Sequence, residues 1–374
     1  MIQITMKRTI LFLFFCAVAL GAIAQNPQPV ATNIRGANYP QLTSHNRAIF
    51  KVKAPEVQKM QLDLGVKYDM VKNSEGVWEV TTDSLTEGFH YYSLIIDGMA
   101  VCDPASESFY GMGRMASGIE VPFAGDGYNA LKDVPHGDIR IKRYFSKVTN
   151  SWRNFYLYTP PGYDQLTSEK YPVLYILHGG GEDQRGWATQ GKTDLIIDNL
   201  IAEKKAVPML VVMVDGNIPS AGFGMEALTA FENELKQCVI PFVESNYRVK
   251  TDANSRALAG LSMGGLQTLH AGVRNTNLFA YLGVFSSGWW GNNSALSDPQ
   301  YDFMRQNSPT INKNLKQFWI AMGGKEDIAW QNCQVMMSKF DEMNVKYTYS
   351  EYPGGHSWPV WRNNLFKFSQ LLFK

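Results

Sequence analysis

The chain has 374 residues, a formal net charge of +1 and an aromatic content of 13%. The balanced charge, without a run of Lys or Arg, argues against nucleic acid as the main partner. Four cysteines are too few for a disulfide framework, and a chain of this length exceeds what one hydrophobic core usually supports, so we expect two domains.

Residues 1–24 have the composition of a secretory signal peptide. Two basic residues precede the apolar run Ile10–Leu20, and small residues end at Ala24. The run is too short for a typical spanning helix, so we predict cleavage after Ala24 and no membrane span. The protein is therefore expected to be secreted, to the periplasm or outside the cell. The mature chain keeps three cysteines whose disulfide state the sequence leaves open: Cys102, Cys238 and Cys333.

Residues 26–126 contain short segments of alternating residues that are typical of β-strands. Turn groups separate these segments, and long helical periods are missing, which favours a small all-β sandwich. Residues 127–136 contain Gly, Asn, Asp and Pro with little periodicity and are predicted to be a linker. The predicted strands are Ala48–Val52, Lys59–Leu64, Val77–Thr81 and His90–Ile96.

Residues 137–374 alternate predicted strands with predicted helices, which indicates a mostly parallel sheet with helices on both faces. In sheets of this kind, the loops that follow the carboxyl ends of the strands form the ligand-binding or catalytic site. Glu226–Tyr247 is predicted as one helix that Pro241 kinks. The predicted strands are Asn154–Thr159, Pro172–Leu177, Met209–Asp215, Ala257–Leu261, Tyr281–Phe285, Gln317–Met322 and Tyr347–Tyr352, and the other helices are Asp194–Glu203, Gln331–Met343 and Pro359–Leu372.

The segment Gly260–Gly264 fits G-x-S-x-G, a sharp turn that raises a serine hydroxyl above an α/β sheet. A buried strand precedes this turn, and a helical pattern follows it. A glycine-rich helix start capped by a serine would read similarly, so the five residues alone decide nothing. Ser262 is the candidate nucleophile, and it requires a base and a carboxylate elsewhere in the chain.

His356 is the candidate base because it follows the last predicted strand directly, whereas His270 lies too far along a helix and His178 belongs to a glycine-rich loop. The carboxylate should come between Ser262 and His356 in the chain. Asp327 is favoured, and the adjacent Glu326 stays open. Two rivals lie in a polar stretch without a preceding strand and are expected to be solvated: Asp298 and Asp302.

Acyl transfer also requires hydrogen-bond donors that face the oxyanion of the tetrahedral intermediate. The N–H of Met263, directly after the candidate nucleophile, is the first predicted donor. The loop His178–Gly181 follows an apolar strand and is predicted to supply the second, from Gly180 or Gly181. A tight structural turn would also explain these glycines.

Several segments together resemble the esterase family that includes carbohydrate esterase family 1 feruloyl and acetylxylan esterases and the enterochelin esterases. In 137–374 these are Gly260–Gly265, His178–Gly181, Phe231–Leu235, Ile240–Glu244, Asn246–Arg248 and Pro353–Trp361. The N-terminal part resembles the immunoglobulin-like early-set domain related to glycogen-binding modules, at Asn46–Phe50, Val77–Val80 and Asp97–Pro104.

The resemblance implies an α/β-hydrolase fold and a catalytic triad of Ser262, Asp327 and His356. It implies neither a metal nor a cofactor. One departure concerns the acid: family members often have a single glycine before it, whereas Gly323 and Gly324 are both present here.

The resemblance also points to acyl groups on plant cell-wall polysaccharides or oligosaccharides, with feruloyl favoured over acetyl. Four tryptophans could form a platform for an aromatic acyl group or a sugar ring, although packing is an equal explanation: Trp289, Trp290, Trp358 and Trp361.

Three other functions stay open at this point: an enterochelin-type siderophore esterase, a peptidase, and an inert carbohydrate-binding protein. The sequence does not determine the glycan or the oligomeric state.

Overall fold

The computed structural model describes residues 26–123, 127–219, 224–289 and 294–374, so the predicted signal peptide lies outside the described residues. Within these residues the chain forms three β-sheets and seven α-helices. None of the helices in this part of the chain combines the length and the hydrophobicity that crossing a bilayer requires.

Residues 26–123, which we call the N-terminal β region, form two antiparallel sheets around a shared core. One sheet has the order β1-β2-β3-β7-β6, and the other has β10-β11-β8-β4-β5, with β9 paired to β8. Phe50 of the first sheet packs its ring 5.0 Å from Tyr92 of the second. The strands are β1 (Gln28–Pro29), β2 (Gln41–Leu42), β3 (Arg47–Lys53), β4 (Met60–Asp63), β5 (Lys67–Asp69), β6 (Val71–Lys72), β7 (Val77–Ser84), β8 (Gly88–Ile96), β9 (Met99–Val101), β10 (Ser108–Gly111) and β11 (Arg114–Val121).

Residues 137–374, which we call the α/β region, contain an eight-stranded sheet with the order β12-β13-β15-β14-β16-β17-β18-β19. The strands from β15 to β19 in this order run parallel, and the β12–β13 hairpin is antiparallel at one edge. The strands are β12 (Asp138–Ser146), β13 (Ser151–Thr159), β14 (Val173–Leu177), β15 (Leu210–Val214), β16 (Arg256–Leu261), β17 (Tyr281–Phe285), β18 (Gln317–Met322) and β19 (Thr348–Glu351).

Helices cover both faces of this sheet, and every residue of the central strands β14, β15 and β16 is buried. Burial on both faces explains why these strands read as continuous apolar runs rather than as alternating patterns. The helices are α1 (Thr193–Ala202), α2 (Met225–Glu234), α3 (Ile240–Asn246), α4 (Met263–Arg274), α5 (Ser294–Asn314), α6 (Trp330–Glu342) and α7 (Trp358–Ser369).

Two helical segments differ from the sequence prediction. The predicted helix Glu226–Tyr247 is divided by a π-helical turn at Leu235–Val239, and Pro241 lies directly after this turn at the start of α3. The polar stretch around Asp298 and Asp302 belongs to helix α5. Both carboxylates are exposed, as expected. The stretch is nevertheless a helix and not a loop, and other residues of α5 are buried against the protein.

The predicted linker, residues 127–136, lies against the α/β region. The Tyr128 ring stacks on Phe366 of α7 at 4.6 Å. The Asn199 side chain of α1 donates to the carbonyls of Tyr128 and Ala130 at 3.0 and 2.9 Å. These contacts attach the segment to two helices, so it is not a free tether.

Candidate active site

Ser262 lies at the turn between β16 and α4, where its backbone has φ 52° and ψ −113°. Residues with side chains adopt such left-handed backbone only at a cost in free energy. The flanking glycines allow the turn because a Cβ on Gly260 would lie 2.4 Å from the carbonyl carbon of Gly264. A Cβ on Gly264 would lie 2.6 Å from the His178 oxygen. Ser262 is thus held at the carboxyl end of a central parallel strand.

A cleft of about 310 Å³ opens at this end of the sheet, and both Ser262 and His356 line it. Its remaining walls come from the glycine-rich loop after β14, from the start of α7 and from the N-terminal β region. The lining residues are Leu64, Gly65, Phe89, His90, Tyr91, Met112, Gly179, Gly180, Glu182, Leu261, Ser262, His356, Ser357, Trp358 and Trp361.

Asp327 is the carboxylate that contacts His356. It follows β18 in the chain, is 3% exposed, and its Oδ1 lies 2.8 Å from Nδ1 of His356. The Ala329 N–H donates to the same oxygen at 2.9 Å. Glu326, the alternative that the sequence left open, is exposed to solvent. The structure therefore brings Asp327, and not Glu326, to the histidine.

Two opposing effects determine the pKa of Asp327. Burial raises it, but hydrogen bonds to the carboxylate, chiefly from the His356 ring, outweigh burial, so the pKa lies below the ordinary value of 3.8. The carboxyl group is consequently ionised at neutral pH. An ionised partner keeps the imidazole proton on Nδ1, which leaves Nε2 as the basic atom of His356.

The two glycines that precede Asp327 have separate structural roles. The Gly324 N–H donates to the Gly354 carbonyl at 2.7 Å and joins the loop of Asp327 to the loop of His356. A Cβ on Gly323 would lie 2.4 Å from the same carbonyl oxygen. Gly323 therefore allows the two loops to approach closely, and the Gly324 N–H joins them, which supports the contact between the carboxylate and the imidazole.

The two glycines predicted to stabilise an oxyanion have different surroundings. Gly180 lines the cleft, and a Cβ built on it would meet no described atom within 4 Å. Gly181 does not line the cleft, and its carbonyl accepts a hydrogen bond from the Gly113 N–H at 2.8 Å. Met263 begins α4, and the first N–H groups of a helix have no intrahelical acceptor.

Residues 146–372 match the sequence model of the family described as "Putative esterase". The chain belongs to this esterase family. A curated relative from Xylanibacter ruminicola, "Endo-1,4-beta-xylanase/feruloyl esterase", is 35% identical over 360 residues. The alignment covers 93% of this chain and 47% of the relative, so the chain spans about half the length of that protein.

Solved structures support an α/β-hydrolase fold for this esterase. A CE1 ferulic acid esterase from Anaeromyces mucronatus is 25% identical with a TM-score of 0.57, and the match covers 67% of this chain and 96% of that one. The enterobactin esterase of Shigella flexneri is 18% identical with a TM-score of 0.64, covering 87% and 92%. At that identity the second likeness shows the fold alone.

Two side chains that the sequence analysis did not single out hold the glycine-rich loop of the esterase in place. Glu182 is 5% exposed, and its Oε1 accepts hydrogen bonds from the Tyr91 hydroxyl at 3.0 Å and from Trp358 Nε1 at 2.9 Å. Burial raises the pKa of Glu182. An acidic residue directly after three glycines was a signal for Glu182, whereas Tyr91 lies 91 positions earlier and gave none.

The four tryptophans predicted as a substrate platform have different positions. Trp358 and Trp361 line the cleft from α7, with their rings 5.2 Å apart. Trp289 is fully buried and packs against Tyr301 and Phe340 in the core, away from the cleft, so its predicted substrate contact is wrong. Trp290 lies outside the described residues.

The three cysteines in the described part of the chain are unpaired: Cys102, Cys238 and Cys333. In the part of the chain that the structure describes, no group of three His, Cys, Asp or Glu side chains could hold a metal ion.

Proposed function

We propose that the chain is a serine carboxylesterase in which Ser262 is the nucleophile, His356 the general base and Asp327 the residue that orients the base. The observation that carries this proposal is the 2.8 Å contact between His356 and a buried carboxylate, beside the strained turn that presents Ser262. Membership of the esterase family agrees with this chemistry.

In the proposed reaction, the Ser262 hydroxyl oxygen attacks the ester carbonyl while Nε2 of His356 accepts its proton. The N–H groups of Met263 and Gly180 stabilise the negative oxygen of the tetrahedral intermediate. His356 then donates the proton to the leaving alcohol. Water attacks the acyl-enzyme, gives its proton to His356, and releases the acid as Ser262 regains its hydrogen.

For the substrate, we propose acyl groups on plant cell-wall polysaccharide such as xylan, feruloyl in the first place and acetyl as the smaller alternative. The names of the Xylanibacter and Anaeromyces relatives support this choice. The apolar cleft with two tryptophans on one side also suits an aromatic acyl group. We further propose that residues 26–126 are an immunoglobulin-like domain and residues 137–374 the esterase domain, and that residues 1–24 direct export.

The decisive experiment compares Ser262→Ala with Ser168→Ala, an exposed serine that does not line the cleft. Ser262→Ala should abolish ferulate release from methyl ferulate while the melting temperature stays within about 2 °C of wild type. A fluorophosphonate should label the wild type on the peptide that contains Ser262 and leave Ser262→Ala unlabelled. Activity retained in Ser262→Ala would overturn the assignment.

A siderophore esterase is the second candidate, because the likeness to the enterobactin esterase covers 87% of this chain and extends beyond the α/β region. The two functions separate on substrate: a catecholate trilactone against a feruloylated arabinoxylan oligosaccharide. Faster turnover of the trilactone would replace the proposed substrate. An inert carbohydrate-binding protein would hydrolyse neither and would resist labelling at Ser262.

A further inference from the structure

One wall of the catalytic cleft comes from the N-terminal β region. The turn after β4 contributes Leu64, and the turn between β10 and β11 contributes Met112, which is 60% exposed. Strand β8 contributes Phe89, His90 and Tyr91 between them. Ser262 and His356 thus line a cavity that residues of the N-terminal β region line as well.

Direct contacts hold this wall against the catalytic loops. The Gly113 N–H, next to Met112, donates to the Gly181 carbonyl in the glycine-rich loop at 2.8 Å. A Cβ on Gly181 would lie 2.8 Å from the Gly113 nitrogen, so the two backbones are in close contact. The Tyr91 hydroxyl donates to Glu182 of the same loop at 3.0 Å. The wall therefore keeps a fixed position relative to Gly180.

A buried ion pair fixes the wall a second time, farther from Ser262. Arg362 of α7 is fully buried and donates to both carboxylate oxygens of Glu120 at 2.7 and 3.0 Å. Lys192 lies 3.2 Å from the same carboxylate. Because a bidentate guanidinium–carboxylate pair restricts orientation as well as distance, the N-terminal β region cannot rotate freely over the cleft.

The chemistry of the wall suits an uncharged, apolar group. Leu64, Phe89 and Met112 are apolar, and burial lowers the pKa of His90, whose Nε2–H donates to the Thr86 carbonyl at 2.7 Å. Trp358 and Trp361 line the same cleft from α7. A volume of about 310 Å³ is at the lower end for small-molecule pockets, so a flat ring would touch more than one side.

The comparison with the Anaeromyces ferulic acid esterase indicates that this wall is an addition. That structure is matched over 96% of its own length, yet the match covers only 67% of this chain, about the length of the α/β region. We propose that the N-terminal β region forms the outer wall of the acyl pocket, and that Met112 and Leu64 bind large acyl groups and so select them over acetyl. This inference rests on the proposed esterase function of the same site.

The test measures kcat/KM for 4-nitrophenyl acetate, butyrate, benzoate and ferulate with wild type, Met112→Ala and Leu64→Ala. Truncating the wall should lower kcat/KM for each larger ester relative to kcat/KM for the acetate. For the two aryl esters, benzoate and ferulate, we expect this ratio to fall about tenfold, because lost contacts in an apolar pocket discriminate at this scale. Acetate turnover should stay within about twofold. Met99→Ala, an equally exposed methionine of the same region outside the cleft, is the matched control and should change nothing.

Failure of this inference differs from failure of the proposed function. The role of the wall would be overturned if the ratios of kcat/KM to that of the acetate did not change in either variant, or if they rose. It would also be overturned if acetate turnover fell as much as aryl turnover. Poor hydrolysis of the ferulate by wild type would instead overturn the feruloyl substrate, and the benzoate and butyrate ratios would still decide the role of Met112 and Leu64. Melting temperatures of the variants verify that each one is folded.

Discussion

Replacing Asp327 by Asn keeps the shape of the side chain and removes its charge beside His356. Two unit charges about 4 Å apart interact by about 4 kcal/mol at an effective dielectric constant of 20. The proposed mechanism requires an imidazolium whenever His356 holds the transferred proton, so the transition state loses about this amount. At about 1.4 kcal/mol per factor of ten, kcat falls by about 10³. An amide can also disturb the Nδ1 tautomer, which extends the expected loss to about 10⁴.

The assay is the initial rate of ferulate release from methyl ferulate, with Glu326→Gln as the matched control because Glu326 is the adjacent, exposed carboxylate. In Asp327→Asn the loss should appear in kcat with little change in KM, and Glu326→Gln should stay within about twofold of wild type. A tenth or more of wild-type kcat in Asp327→Asn, or an equal loss in Glu326→Gln, would refute the reasoning. Thermal unfolding of both variants separates a catalytic effect from a folding defect.

Two further predictions concern stability and thiol reactivity. Arg362→Met should lower the free energy of unfolding by about 3 kcal/mol in urea titrations at neutral pH, because it leaves Glu120 buried without its main partner. Burial raises the pKa of Glu120, but Arg362 and Lys192 outweigh burial and hold this pKa below 4.5. The stabilisation by the ion pair is therefore complete above pH 4.5 and is lost as the pH falls through the lower pKa of the folded state. A difference in stability between Arg362→Met and wild type that persists in that acidic range would contradict the ion-pair account. Burial raises the pKa of Cys333 to about 12, and Cys238 is buried as well. Of the three thiols that the structure describes, iodoacetamide at about pH 8 should therefore modify Cys102 alone in the folded protein and all three after denaturation, as located by peptide mass mapping. Rapid labelling of Cys333 in the folded state would show that the core opens.

The residues of the candidate site could be predicted because each one follows a strand that the sequence marks clearly. Ser262, Asp327 and His356 come after the apolar strand β16, after β18 and after β19, and parallel strands bring their carboxyl ends to one edge. The sequence favoured Asp327 but left Glu326 open, since adjacent residues on a loop differ mainly in the direction of their side chains. The structure separates them by burial.

Other features depended on contacts between distant segments. The sequence placed Trp289 at a strand end, but its ring packs into the core beside Tyr301. Tyr301 belongs to helix α5, which was not predicted because its segment has a polar composition. Nothing in the local pattern near Met112 indicates that this turn reaches the glycine-rich loop. The alternation of apolar and polar residues along a strand indicates which face is buried, but it does not indicate which neighbouring segment covers that face.

The position of α7 has a consequence for how the protein matures during synthesis. Arg362 and Trp358 of α7 hold the N-terminal β region in place, and His356 lies just before α7 in the chain. Yet α7 is the last helix of the described chain to leave the ribosome. The N-terminal β region is made first and has its own core, so it can form early but has no helix to dock against until α7 emerges. Docking and the arrival of the histidine therefore coincide, and ester hydrolysis should begin only after α7 has emerged and docked.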